Sequence, residues 1–241
     1  MEKEMNTAMK HTIEPLGDES LFINLGDEID PDTHESVQAV AARLEKEKWS
    51  WLSEIVPSYT GLAVYYDAPA FYPEHSSPYE QVAEMLKKVV ETTEPREGSG
   101  HRTVEIPVCY GGEFGPDISV VAGENGLTEE EVIKRHSDNE YLVYMLGFAP
   151  GFPFLGGMDE RIATSRKDSP RTSLPAGSVG IAGSQTGVYP VVSPGGWQLI
   201  GRTPFKLFNP DRESPSYVQP GDRVKFYPVS PEEYNRLEGE E

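Results

Sequence analysis

Three segments between Tyr144 and Pro204 are so dense in glycine and proline that no regular helix can run through them. They are YMLGFAPGFPFLGG (144–157), SPRTSLPAGSVGIAG (169–183) and QTGVYPVVSPGGWQLIGRTP (185–204). The window 141–210 holds 11 of the 23 glycines and 8 of the 21 prolines of the 241-residue chain. Glycine weakens a helix interior and proline removes a donor and clashes with the preceding turn, so such a window folds as short extended runs joined by tight turns. The runs YLVYML, SVGIAG, VYPVV, WQLIG, FKLF and RVKFY fit that description, and from Tyr141 to Tyr227 the pattern predicts an all-β barrel or sandwich.

The first hundred residues are written differently. TIEPLG and SLFINLG read as two strands around a turn at Gly17 and Asp18, and Asp30, Pro31 and Asp32 then supply helix-start residues. Val37, Val40, Ala41 and Leu44 recur at helical spacing, giving one apolar stripe that must face a sheet. EIVPSY and GLAVYYD predict two more strands. Ser77-Pro78-Tyr79-Glu80 is a capping box opening a second helix with Tyr79, Val82, Ala83, Leu86 and Val89 on one side. The order ββαββα predicts a small α+β domain, ferredoxin-like or similar, with an antiparallel or mixed sheet and both helices on one face.

The segment 94–102, EPREGSGHR, has no periodic apolar residues and reads as a linker. Residues 1–96 are therefore expected to form the first domain, 97–230 the barrel domain, and 231–241 a solvated acidic tail. Within the barrel domain TVEIPVCYG is a strand, and Thr128-Glu129-Glu130-Glu131 caps a short helix carrying Val132, Ile133 and His136.

Charge narrows the functional classes. The net charge of -19 repels phosphate backbones and anionic lipid, which argues against nucleic acid and membrane partners. Only the window 141–210 runs the other way, with three acids (Asp159, Glu160, Asp168) against six bases (Arg161, Arg166, Lys167, Arg171, Arg202, Lys206). One cysteine, Cys109, permits neither an intramolecular disulfide nor the common zinc patterns, and no metal site is expected. The N-terminal stretch has no apolar signal region and no later stretch nears the roughly 18–20 apolar residues of a membrane span, so a cytoplasmic protein is expected.

The chain lacks G-x-x-x-x-G-K-[ST], G-x-G-x-x-G after a strand, H-E-x-x-H and G-x-S-x-G. Chemistry must then come from the three glycine- and proline-rich segments. Phe148, Pro150, Gly151 and Phe152 put aromatics between prolines, where they line a groove or a partner surface, or simply fill the core. Arg166, Arg171 and Arg202 offer guanidinium forks to a carboxylate or phosphate, against the plainer reading of surface arginines or internal ion pairs. His136 is an acid/base or positioning candidate, or a satisfied core histidine. Pro175, Ser178, Gln185, Thr186, Tyr189, Ser193 and Thr203 are loop positions able to shape a pocket or donate to a ligand, and Trp197 to cover one.

The run GFAPGFPFLGG, then PRTSLPAGSVGIAGSQTGVYPVVSPGGWQLIGRTP and VQPGDRVKF, resembles the allophanate hydrolase subunit 1 family, and IEPLGDESLFINLG and PSYTGLAVYYD extend the likeness to the first domain. That family includes the B component of 5-oxoprolinase and the KipI inhibitors of histidine kinases. The resemblance implies a cyclophilin-like β-barrel after a small α/β domain. It further implies a share in ATP-dependent opening of 5-oxoproline to L-glutamate with subunits A and C, the chain being inactive alone, and it leaves open whether ATP touches this chain. The alternative it implies is a protein that docks on the dimerisation and phosphotransfer helices of a sporulation histidine kinase, and a weaker one is a component of urea or allophanate breakdown.

Overall fold

In a computed structural model the described residues are 9–72, 76–94 and 102–240, and the chain divides into two compact units, Met1–Gly100 and His101–Glu241. The linker residues 95–101 lie outside the described residues.

Unit 1 runs β1 (Thr12–Pro15), β2 (Ser20–Asn24), α1 (Pro31–Glu47), β3 (Leu52–Pro57), β4 (Gly61–Tyr66), a 3-10 turn (Ala68–Phe71) and α2 (Pro78–Thr92). The helices start where their capping chemistry dictates. Asp30 accepts from the Thr33 amide at 2.9 Å with Pro31 behind it, and Ser77 and Glu80 close a reciprocal capping box with Pro78 at the first helical position. The sheet is antiparallel throughout, in the order β1-β2-β4-β3. Its register aligns Ile13, Ile23 and Leu62 in one row and Leu21, Val64 and Ile55 in the next. Alternation sends these rows to a single face, where they share a core with Val37, Val40 and Leu44 of α1 and Val82, Leu86 and Val90 of α2. The element order is ββαββα, whereas a ferredoxin-like unit runs βαββαβ, so the element order does not uphold the ferredoxin-like comparison.

Unit 2 comprises β5 (Thr103–Tyr110), α3 (Ile118–Asn125), α4 (Glu129–Asp138), β6 (Glu140–Leu146), β7 (Pro153–Gly156), a 3-10 turn (Glu160–Ile162), β8 (Arg171–Leu174), β9 (Ser178–Ala182), β10 (Gln185–Val188), β11 (Ser193–Gly195), β12 (Gln198–Arg202), β13 (Arg223–Pro228) and α5 (Pro231–Glu238). Seven strands close a barrel in the order β10-β7-β6-β13-β5-β12-β9, and β8 pairs with β11 as a separate ribbon. Only β5 and β13 run parallel among the barrel pairs. Their register stacks Val104 on Val224 and Ile106 on Phe226, and these side chains join Tyr141, Val143, Leu155, Val179, Ile181 and Ile200 in one buried cluster.

Two expected strands are missing. VYPVV ends at Val188 because Pro190 has no amide to continue the ladder, and FKLF, between Pro204 and Pro210, keeps only a Phe208–Ser216 bridge. The segment read as an acidic tail contains α5, capped by Ser230, and its Tyr234 is buried and rests on Phe114 at 4.6 Å between ring centroids. No helix among the described residues is long and apolar enough to cross a membrane.

Candidate functional site

The glycine- and proline-rich segments meet on one flank of the barrel. Phe152, Leu174, Ala182, Tyr189, Trp197 and Leu199 form a buried cluster with Ala149 and Phe154 packed against it. Phe152 is its hub: its ring meets Tyr189 at 5.4 Å, Trp197 at 5.6 Å and Phe154 at 5.0 Å, all edge to face, the arrangement that ring quadrupoles favour. Gly195 is required here, since a Cβ on it would stand 2.5 Å from the Tyr189 hydroxyl. Burial pushes the Tyr189 phenol above its usual range, so it serves as a neutral hydrogen-bonding group toward the Trp197 backbone.

Outside this cluster stands Phe148. Its φ is +65°, and the Ala149 amide donates to the Gly147 carbonyl at 2.7 Å, so Phe148 is the apex of a γ-turn. The ring is 70% exposed, touches Phe152 edge-on at 5.5 Å and is flanked by the exposed Pro150. A left-handed backbone on a bulky residue costs about 1–3 kcal/mol and is held only where the surroundings determine it. Gly151, at φ +76°, fixes the far side of the loop against Phe208. Arg166 is exposed and lies with its guanidinium carbon 6.0 Å over the Trp197 ring.

The three arginines do not share one anion. Arg171 gives a hydrogen bond to Asp117 Oδ1 at 2.7 Å, so its charge is answered from within the protein. Lys167 reaches the same oxygen at 3.3 Å, and the Leu199 amide donates to Oδ2 at 2.8 Å. Asp117 is 4% exposed; burial raises its pKa, but the hydrogen bond from Arg171, the Leu199 amide and Lys167 outweigh that and leave it below the usual carboxylate range. Arg202, at the end of β12, stacks over Phe114 at 5.6 Å and interacts with Tyr234. The three arginines therefore have three separate anchorages.

His136 is fully buried, and both ring nitrogens are engaged. Thr186 Oγ1 spends its proton on the Gly180 carbonyl at 3.0 Å, so it accepts from His136 Nε2–H at 2.8 Å, and the Tyr110 hydroxyl donates to Nδ1 at 2.8 Å. The chain of donors fixes the Nε2–H tautomer. With Phe226 stacked at 4.8 Å and burial pushing its pKa down to about 3, His136 is a fully buried neutral residue with both nitrogens bonded within the protein, which favours the core reading over the acid/base one. Thr186 serves the same network.

Other expected donors close turns. Ser178 Oγ donates to the Pro175 carbonyl at 2.7 Å, while Pro175 itself is exposed, and Thr203 Oγ1 accepts from the Phe205 amide at 3.2 Å. Gln185 opens β10 opposite Ala182. Ser193 Oγ is buried with no hydrogen-bond partner among the described residues. Cys109 is buried, and burial raises its pKa, which leaves an inert thiol. Sequence reasoning overlooked Asp117, Lys167 as its second cation, and Phe114; the acid among glycines in YGGEFGPD was the one available signal.

The chain belongs to the family described as carboxyltransferase domain, subdomain C and D, whose model matches residues 11–218. It is 50% identical over 238 residues to the B subunit of the 5-oxoprolinase of Bacillus subtilis strain 168, covering 96% of this chain and 98% of that protein. A conserved protein of Pyrococcus horikoshii of known structure is also 50% identical, with a TM-score of 0.55, over 92% of this chain and 100% of that one. The urea amidolyase of Kluyveromyces lactis shares the fold at a TM-score of 0.76 and 19% identity, over 98% of this chain and 16% of that chain.

Proposed function

We propose that this chain is the B subunit of an ATP-dependent 5-oxoprolinase that opens 5-oxo-L-proline to L-glutamate with subunits A and C, and that it is inactive alone. The observation that carries this reading is the end-to-end match, at 50% identity, with the B subunit of the Bacillus subtilis 5-oxoprolinase. Unit 2 is read as a cyclophilin-like barrel, and the surface where exposed Phe148 meets Phe152 and exposed Arg166 lies over Trp197 as its contribution to a composite site. Hydrolysis of a five-membered lactam breaks the C–N bond of a poor carbonyl, and ATP supplies the activation of that carbonyl in the complex. The residues of this chain do not fit the nucleotide. The sequence has no phosphate-binding loop of the G-x-x-x-x-G-K-[ST] type, and the paired cations Lys167 and Arg171 are shared with Asp117. ATP is therefore assigned to the partner subunits, and this chain's residues to substrate binding and assembly.

Reconstitution tests the proposal. Adding the chain to subunits A and C is expected to yield ATP-coupled release of glutamate that neither the chain nor the A–C pair gives alone. Full activity of A and C without it, or inhibition of a histidine kinase by the chain with no gain of oxoprolinase, overturns the reading.

A further inference from the structure

Lys167 and Arg171 both aim at a single oxygen, Asp117 Oδ1, at 3.3 and 2.7 Å, which puts their two cationic nitrogens no more than about 6 Å apart. One carboxylate neutralises one of the two charges. The cluster therefore keeps a charge of +1 within a chain whose overall charge is -19. Both cationic side chains are 29% exposed, so the cluster is open to solvent, whereas Asp117 behind it is not. A further donor is uncommitted: Arg171 Nη1 is buried and has no hydrogen-bond partner among the described residues. Buried donors without partners are rare in folded proteins and mark places where a group is missing.

The backbone around the cluster is fixed. Lys167 N–H donates to the Gly196 carbonyl at 2.7 Å, Arg171 sits opposite Gly195 in the β8–β11 ribbon, and Asp117 is tied to Leu199 through both its amide and its carboxylate. Leu199 and Trp197 belong to the aromatic cluster, so the cations border its apolar wall. From this arrangement we propose that Lys167 and Arg171, positioned by Asp117, bind the carboxylate of a small monoanionic acid whose apolar or cyclic body lies toward Trp197. A residual charge of +1 matches a carboxylate, whereas the several charges of a polyphosphate call for more cations than the cluster has. Lys167, with the longer contact, is the cation that turns from Asp117 to the ligand.

The inference rests on the proposed role in 5-oxoproline cleavage for its ligand, 5-oxo-L-proline. Binding is measured on the full chain by calorimetry with 5-oxo-L-proline, with its neutral carboxamide and with inorganic phosphate. The free acid is expected to bind and the carboxamide not to. Lys167→Gln is expected to weaken binding about tenfold and Lys167→Arg to restore most of it, as loss and return of a charge-assisted hydrogen bond require. In the reconstituted complex Lys167→Gln is expected to raise KM for 5-oxoproline with kcat little changed. Equal binding of acid and carboxamide, preference for phosphate, or an active complex whose KM ignores Lys167→Gln refutes the site and leaves the proposed function standing. Lysine-dependent binding of the acid by a chain that never confers activity on A and C refutes the proposed function and leaves the site standing.

Discussion

Protonation of His136 is a measurable load on the barrel. The imidazole is fully buried and its pKa falls from 6.5 to about 3 because burial penalises the charged ring. Nothing packed around it compensates: Tyr110 and Tyr141 are phenols whose own pKa values burial has raised, Thr186 is a hydroxyl and Phe226 is apolar. The unfolded chain takes up a proton near pH 6.5 while the native chain does not, so His136 supports the fold above that pH and the support is lost as pH falls from 6.5 toward 3. At one pKa unit per 1.36 kcal/mol the full loss is about 5 kcal/mol, and between pH 7.5 and pH 5 it is about 2 kcal/mol. The second figure holds for any native pKa well below 5. Urea unfolding followed by circular dichroism at both pH values, on the native chain and on His136→Gln, isolates it, because the remaining ionisable groups are common to both. The variant is expected to be weaker at pH 7.5, with Tyr110 and Thr186 re-partnered, but to lose about 2 kcal/mol less on acidification. Equal losses in the two proteins would show that the ring exchanges protons in the folded state, and would refute its description as a sealed neutral residue.

Asp117→Asn leaves Lys167 and Arg171 facing each other without a counter-charge and is expected to destabilise unit 2 by about 3 kcal/mol in the same unfolding assay. Because the native Asp117 pKa lies below its unfolded value, that stabilisation is present above pH 3.8 and disappears as pH falls through the native pKa, so the native and Asn proteins should converge in stability at strongly acid pH. Phe148→Gly relieves the left-handed backbone and gives up a ring that is mostly in water; thermal unfolding should shift upward by about 2–4 °C while activity of the reconstituted complex falls. Gly177→Ala would place a Cβ 2.2 Å from the Thr203 carbonyl at φ +80° and is expected to cost about 3 kcal/mol or more, read as a lowered urea midpoint.

What could be read in advance was whatever the chain writes locally. Short apolar runs beside turns gave β2 and β4, helical spacing gave the α1 stripe, and the capping boxes at Ser77 and Thr128 fixed two helix starts to the residue. An all-β second unit, barrel or sandwich, followed from turn density, because glycine and proline act on their own neighbours, and the choice of a barrel came from the family resemblance. Expectations failed where a partner lay far along the chain. Asp117 meets Lys167 and Arg171 across 50 and 54 residues and Leu199 across 82, and no local pattern distinguishes it from any other acid in a turn. Arg171 was recognisable as an anion ligand or a member of an internal ion pair, but its partner Asp117 was not, since pairing depends on how α3 approaches β8 and β12. His136 shows the same limit from the other side: its helix was correctly placed, yet whether the ring faced substrate or core depended on Tyr110 and Thr186, 26 and 50 residues away on strands of the closed barrel. The residues that proved hardest to foresee are those whose function is to join distant segments, and a site assembled from three turns is made almost wholly of such residues. That is why the glycine- and proline-rich runs pointed to the flank of the barrel where the proposed site lies, while the proposal of Lys167 beside Arg171 within it had to wait for the geometry around one buried carboxylate.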